Sequence, residues 1–323
     1  MNTTTLTPFA PARPGLLVPA LLACYLVWGS TYLAIRLALV SFPPFFQMGT
    51  RFLLAGGLLM GWLVLRGKAQ PDRRQWRNAL VIGTLMLGGG MGLTAVASVH
   101  VGSGLIATFI AVVPMLVCGW GLLFGQRPGR LELLGMAVGA VGVGLLVQGA
   151  SFAASPVGLA AIAGATLLWS LGSVLSTTRL PLAPGPSGFA SEMLCGGAVL
   201  MAIALAMGEQ PMWPPAPLAL AAWGYLVVFG SLIAFSAYLY LLAHASPAVA
   251  TSYAFVNPLI ALFLGVVLAG ESVTGREWWS CGVILIGVFL ILANKWQADR
   301  FAKTAFSEGK AADFTRRKNN TPE

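Results

Sequence analysis

Charge is what this sequence has least of. Of its 323 residues, 9% are charged and 57% are apolar, whereas soluble domains carry about 25% charged residues. A soluble fold of this length would lack the polar surface that keeps it dissolved. Histidine is limited to two residues and cysteine to four. No GxxxxGK[ST] segment is present, which excludes a built-in P-loop ATPase, and HExxH is also absent. Cys24, Cys118, Cys195 and Cys281 lie inside apolar runs without metal-ligand spacing, so they read as small apolar fillers. Paired acids, or a Ser–Lys or Ser–His dyad at one depth, are missing too, which argues against an intramembrane hydrolase. The expectation is no enzyme, no metal and no cofactor.

What the chain does have is long apolar runs. A membrane-spanning helix needs about 20 apolar residues. Ten runs meet that need, at about 16–40, 43–65, 78–98, 102–124, 131–149, 157–178, 187–207, 218–242, 247–270 and 278–294. They are continuously apolar, not alternating, so they are helices and not barrel strands. The fold class is therefore all-α, a polytopic membrane protein. "ALLAC", ending at Cys24, imitates a lipoprotein cleavage site, but the apolar run continues past it and reads as an uncleaved span.

The formal charge of +9 could suggest nucleic acid, but its placement argues otherwise. With a cytoplasmic N-terminus, the inner segments hold Arg13, Arg66, Lys68, Arg73, Arg74, Arg77, Arg127, Arg130, Arg179 and every basic residue from Lys295 to Lys318. Only Arg36, Arg51 and Arg276 fall at or near outer ends. That asymmetry places both termini in the cytoplasm and makes the basic residues a topology device, in contact with membrane lipid and not nucleic acid.

The chain also repeats. "WGSTYLAIR" (28–36) aligns with "WSLGSVLSTTR" (169–179), His100 with His244, Thr108 with Ser252, Phe109 with Tyr253 and Pro114 with Pro258. The units are 16–149 and 157–294, preceded by a cytoplasmic segment 1–15 and followed by a polar tail 295–323 expected to be disordered. Each unit holds five spans. Five is odd, so the second copy enters from the opposite face and the repeat is inverted, a plan that puts a transport site between the copies around a central cavity. Pro114 and Pro258 reach mid-bilayer, where each should kink its helix and mark a cavity wall or a gate.

Polar and aromatic side chains recur at helical spacing. Thr166, Ser170, Ser173 and Thr177 share a face of the sixth span beside Trp169, and Tyr25, Gly29, Tyr32 and Arg36 share one on the first beside Trp28. Thr94 and Ser98 align on the third span, Ser231, Phe235 and Tyr238 on the eighth, and Ser246, Tyr253 and Asn257 on the ninth. A single hydroxyl can satisfy itself on the carbonyl one turn back. Their convergence, however, nominates Trp28, Tyr32, Thr94, Ser98, Trp169, Ser173, Tyr238, Tyr253 and Asn257 as substrate-binding residues. Spans five and ten instead carry "GMAVG" (135–139) and "GVILIG" (282–287), a packing signature. Ionisable groups in a membrane default to function. Glu192, His100 and His244 are therefore the coupling candidates, while Arg36 and Arg51 near outer ends could snorkel outward.

Two five-helix units, "WGS" early in the first span, a proline midway along spans four and nine, and "LAGESVTGREWWSCGVILIGVFLIL" (268–292) resemble the drug/metabolite transporter superfamily, in particular its ten-helix EamA-type exporters. "FGQRPG" in the first unit departs from the pattern, with Gln126-Arg127 where the second unit has Gly270-Glu271. The resemblance implies export of small metabolites by alternating access in a bacterial inner membrane. The aromatic faces are most similar to the YddG-type exporters of aromatic and neutral amino acids. The alternatives are efflux of flat cationic drugs such as methyl viologen, a nucleotide-sugar carrier, and a membrane-embedded enzyme or sensor. Two homologous halves already supply what a smaller relative gains by dimerising, so a monomer is expected.

Overall fold

The computed structural model describes residues 16–123, 129–148, 155–244, 253–287, 289–290 and 293. Among these the chain is helical, without strands. The helices are α1 (Leu17–Ala38), α2 (Pro44–Leu65), α3 (Arg73–His100), α4 (Ser103–Leu123), α5 (Arg130–Val147), α6 (Pro156–Thr178) and α7 (Pro186–Ala206). Then come α8 (Pro217–Tyr225, continued by Leu226–Ile233 and Ala234–His244), α9 (Tyr253–Ala269) and α10 (275–287). Seven of them, α1–α4 and α6–α8, are long and apolar enough to cross a membrane, and Leu133–Leu146 and Val256–Ala269 are shorter apolar stretches. Large apolar side chains such as Leu65, Leu205 and Phe263 face outward. Helices that are apolar all round suit hydrocarbon.

Local chemistry sets the helix starts. Pro44, Pro156, Pro186 and Pro217 occupy first-turn positions, where a missing N–H costs nothing. Asp72 and Gln75 form a capping box that starts α3 five residues before its apolar run. Thr274 and Glu277 form a second box at the start of α10.

Small residues set the spacing between helices. A Cβ at Gly197 of α7 would meet the backbone N of Leu53 on α2 at 2.9 Å, and one at Gly287 of α10 would meet the N of Gly139 on α5 at 2.6 Å. The glycine spacings of spans five and ten thus meet each other across one interface, with exposed apolar side chains around it. α1 packs on α8 and α9, α6 packs on α3 and α4, α2 on α7, and α4 on α9.

Two helices carry equivalent irregularities. The i→i+5 hydrogen bonds of a π-helix run through Thr84–Met91 in α3 and Leu226–Ile233 in α8; a shorter stretch, Ala23–Val27 in α1, is not repeated in α6. Such stretches widen a helix and collect at functional sites. α4 breaks at Ala111–Val112, just before Pro114, as a proline without an N–H requires. Pro258 sits inside the helix Tyr253–Ala269, which continues through it.

Candidate functional site

The nine nominated residues separate into two groups. The first lies where α1, α8 and α9 meet. The Trp28 ring contacts Phe235 at 5.4 Å, Tyr238 at 5.3 Å and Tyr253 at 4.8 Å between centroids, and Tyr238 meets Tyr253 edge-on at 5.7 Å. Such tilted and edge-to-face pairs are the favourable aromatic geometries. The indole Nε1 of Trp28 donates to the carbonyl of Gly230 at 3.3 Å, inside the π-helical stretch of α8. Asn257 faces the carbonyl oxygens of Tyr253 and Tyr25, each at 3.2 Å, which assigns its amide nitrogen to that side and ties α9 to α1. Tyr32, further along α1, packs against the neighbouring core that includes Ile106 and Leu262.

The second group lies where α3 meets α6. Trp169 stands against Gly90, where an added Cβ would come within 3.0 Å of the indole. Gly90 belongs to the π-helical stretch of α3. Each of the two tryptophans therefore rests on a glycine of a π-helical segment, Trp28 on Gly230 and Trp169 on Gly90. Thr94 and Ser98 are buried, and their hydroxyls donate to the carbonyls of Gly90 and Thr94 at 2.7 and 2.8 Å. Ser173 donates to the Trp169 carbonyl at 2.8 Å. These three hydroxyls are occupied by their own helices.

The charged groups distribute differently from a reading by depth. Glu192 on α7 is 5% exposed, and no hydrogen bond or ion pair reaches its carboxylate among the described residues. His100 ends α3 and is exposed, lining a cavity of about 330 Å³ with Arg36, Gly102, Leu105 and the segment 269–273. His244 ends α8, and its side chain, like Ser246 and the rest of 245–252, lies outside what is described. So does the first-unit segment 124–128 with Gln126-Arg127.

Arg51 does not snorkel. It is 2% exposed, about 10 Å along α2 from Pro44. Its Nε donates to Ser231 Oγ at 2.9 Å, across to the π-helical stretch of α8.

Two carboxylates cap helices. Glu271 accepts from the Ser103 N–H at 2.7 Å, the Ser103 hydroxyl at 2.8 Å and the Gly104 N–H at 3.2 Å, and is ion-paired to Arg36. It binds the N-terminus of α4 and the end of α1 to the turn before α10. Burial alone would raise the Glu271 carboxyl, but the bonds from Ser103, Gly104 and Arg36 outweigh it and hold the group below its ordinary value. Glu209, in the connection before α8, accepts the N–H groups of Phe45 and Phe46 at 3.3 and 2.7 Å, at the start of α2. Both anions sit where a helix N-terminus carries partial positive charge.

Membrane-length apolar helices that bury aromatic and ionisable side chains between them define a polytopic membrane protein with its polar chemistry turned inward. The chain belongs to the EamA-like transporter family, whose model matches residues 16–148 and again 156–293. The uncharacterized inner membrane transporter YedA of Escherichia coli K12 is 41% identical over 278 residues, covering 86% of this chain and 90% of that protein. Protein PecM of Dickeya dadantii is 27% identical over 276 residues, covering 83% and 89%. A solved crystal structure shares the fold at a TM-score of 0.58 and 20% identity, covering 86% of this chain and 96% of the other.

Proposed function

We propose that this membrane transporter is a secondary exporter of aromatic and neutral amino acids or similar small metabolites, working by alternating access in a bacterial inner membrane. It consists of ten spans arranged as two inverted five-helix units around a central cavity, with both termini cytoplasmic. The double match of one family model supports two units. The internal correspondence supports their symmetry. Exchanging each helix for its counterpart five positions on maps the main contacts onto one another: α1 on α8 and α9 becomes α6 on α3 and α4, while α2 on α7 and α4 on α9 map to themselves. The π-helical stretches of α3 and α8 exchange as well, and so do the two tryptophan–glycine contacts. The inner-membrane name of YedA supports the location.

The substrate reading rests on the aromatic group around Trp28. It stands where the two units meet and offers flat faces to an apolar or aromatic side chain. Glu192 is favoured over His100 as the coupling group, because it is buried with no cation partner among the described residues while His100 lies at an exposed helix end. The cationic-drug reading draws on the same rings, which suit a cation as well, but the buried positive charge of Arg51 on the neighbouring helix opposes it. Purified protein in liposomes should move labelled phenylalanine or threonine with saturation. Failure to move any neutral amino acid, with methyl viologen carried instead, would select the alternative.

A further inference from the structure

A guanidinium has five N–H donors and no acceptor. Placed inside a membrane protein without a counter-charge, it is costly, and such groups are retained where they act. Arg51 is 2% exposed, yet only its Nε reaches an oxygen among the described residues, the Ser231 hydroxyl at 2.9 Å. Nη1 approaches the Met48 sulfur at 3.8 Å, a weak acceptor, and the Phe52 ring lies 4.9 Å away. No carboxylate among the described residues pairs with it. A structural arginine in hydrocarbon would saturate itself on carbonyls or an acid. This one is left with donors, and the Ser231 O–H that supports it has no acceptor among the described residues either.

The surroundings say where an anion would dock. Nη2 lies against Gly230, where a Cβ would come within 3.0 Å of it and 3.1 Å of the Thr31 methyl. Gly230 is also the residue whose carbonyl takes the Trp28 indole. The guanidinium and the aromatic group therefore both contact Gly230, on the same π-helical stretch of α8. That is the division of labour a substrate with an anionic group and a flat apolar body requires.

We propose that Arg51 is the anion-receiving residue of the transport site, docking a substrate carboxylate beside Ser231 while the apolar part lies toward Trp28. The assignment rests on the exporter reading above and narrows it to carboxylate-bearing substrates. It makes Arg51 a specificity-determining residue that sequence depth alone put at the membrane surface.

The test uses the full-length protein in detergent and in liposomes, with sodium 3-phenylpropanoate, which keeps the carboxylate, and 2-phenylethylamine, which lacks it. Phenylpropanoate should raise the melting temperature of the wild type and compete with labelled phenylalanine, and the amine should do neither. R51Q should weaken phenylpropanoate binding by about tenfold or more, the scale of one lost charge-assisted hydrogen bond, and R51K should fall between. Stronger competition by the amine, or unchanged phenylpropanoate binding in folded R51Q, overturns the Arg51 assignment and leaves the exporter standing. Binding of phenylpropanoate that R51Q abolishes, in a protein that moves no amino acid, keeps Arg51 and removes the amino-acid reading. If R51Q does not fold, the competitor pair on the wild type decides the matter alone.

Discussion

Replacing Glu271 by glutamine keeps the shape of the side chain and removes its charge. The carboxylate accepts two backbone N–H groups and one hydroxyl at the start of α4, and it also pairs with Arg36. Hydrogen bonds to a charged group contribute about 1.5–3 kcal/mol each, and an anion at a helix N-terminus about 0.3–1 kcal/mol. An amide can still accept through its one oxygen, so the net loss is about 2–4 kcal/mol. Arg36 is 42% exposed, and a solvent-screened pair is worth about 0–1 kcal/mol. R36Q should therefore cost much less than E271Q, and S103A, which removes one hydroxyl donor, about 1 kcal/mol. Thermal unfolding of the purified protein reads this order as E271Q far below wild type, with S103A and R36Q close to it. The pH sign follows from the depressed carboxyl: its contribution is complete above the ordinary carboxylate range and is lost as pH falls through the lower folded value. Stability is thus insensitive to pH changes around neutrality. If R36Q costs as much as E271Q, the clamp is a salt bridge and not a helix cap, and the reasoning fails.

Other substitutions probe the packing and the site. G197A places a Cβ 2.9 Å from the Leu53 backbone and should destabilise by about 1–3 kcal/mol in the same melting assay, whereas G57A, with nothing within 4 Å, should be neutral or better. W28A and Y253A should cut phenylalanine transport by about tenfold or more, the scale of a lost stacking anchor. W62A, at an outward-facing residue 49% exposed, should leave transport near wild type, and equal effects would remove the aromatic group from the site. E192Q should abolish the response of transport to an imposed pH gradient, and a retained response excludes Glu192 as the coupling group.

The helices were legible because hydropathy reports span length directly. The runs 43–65 and 187–207 match Pro44–Leu65 and Pro186–Ala206 nearly residue for residue. The start of α3 was not, because Arg73, Arg74, Gln75 and Arg77 are polar and only the Asp72–Gln75 box announces the first turn. Small-residue spacing marked spans five and ten as packing faces because close approach of backbones has a composition, while their contact with each other is seen only in the structure. The aromatic faces predicted that Trp28, Tyr238 and Tyr253 meet, since helical periodicity fixes which side chains share a side. It could not separate Trp169 into another group, because that depends on which helices are neighbours. π-helical stretches have no residue signature, so those of α3 and α8 were invisible. Arg51 was misjudged for a related reason: its position along α2 gives its depth, and only the packing of α8 against it gives its direction. The capping role of Glu271 has no sequence signal because its partners are remote in the chain.

The most direct test is the sidedness of single cysteines introduced into a cysteine-free background and labelled in intact cells. Two oppositely threaded five-helix units place Ser272→Cys, beside the Arg36–Glu271 clamp, within reach of an impermeant maleimide from outside. Cysteines at Lys68 and at both chain termini should react only after the membrane is opened. Labelling of one terminus in intact cells while the other stays protected would contradict the account.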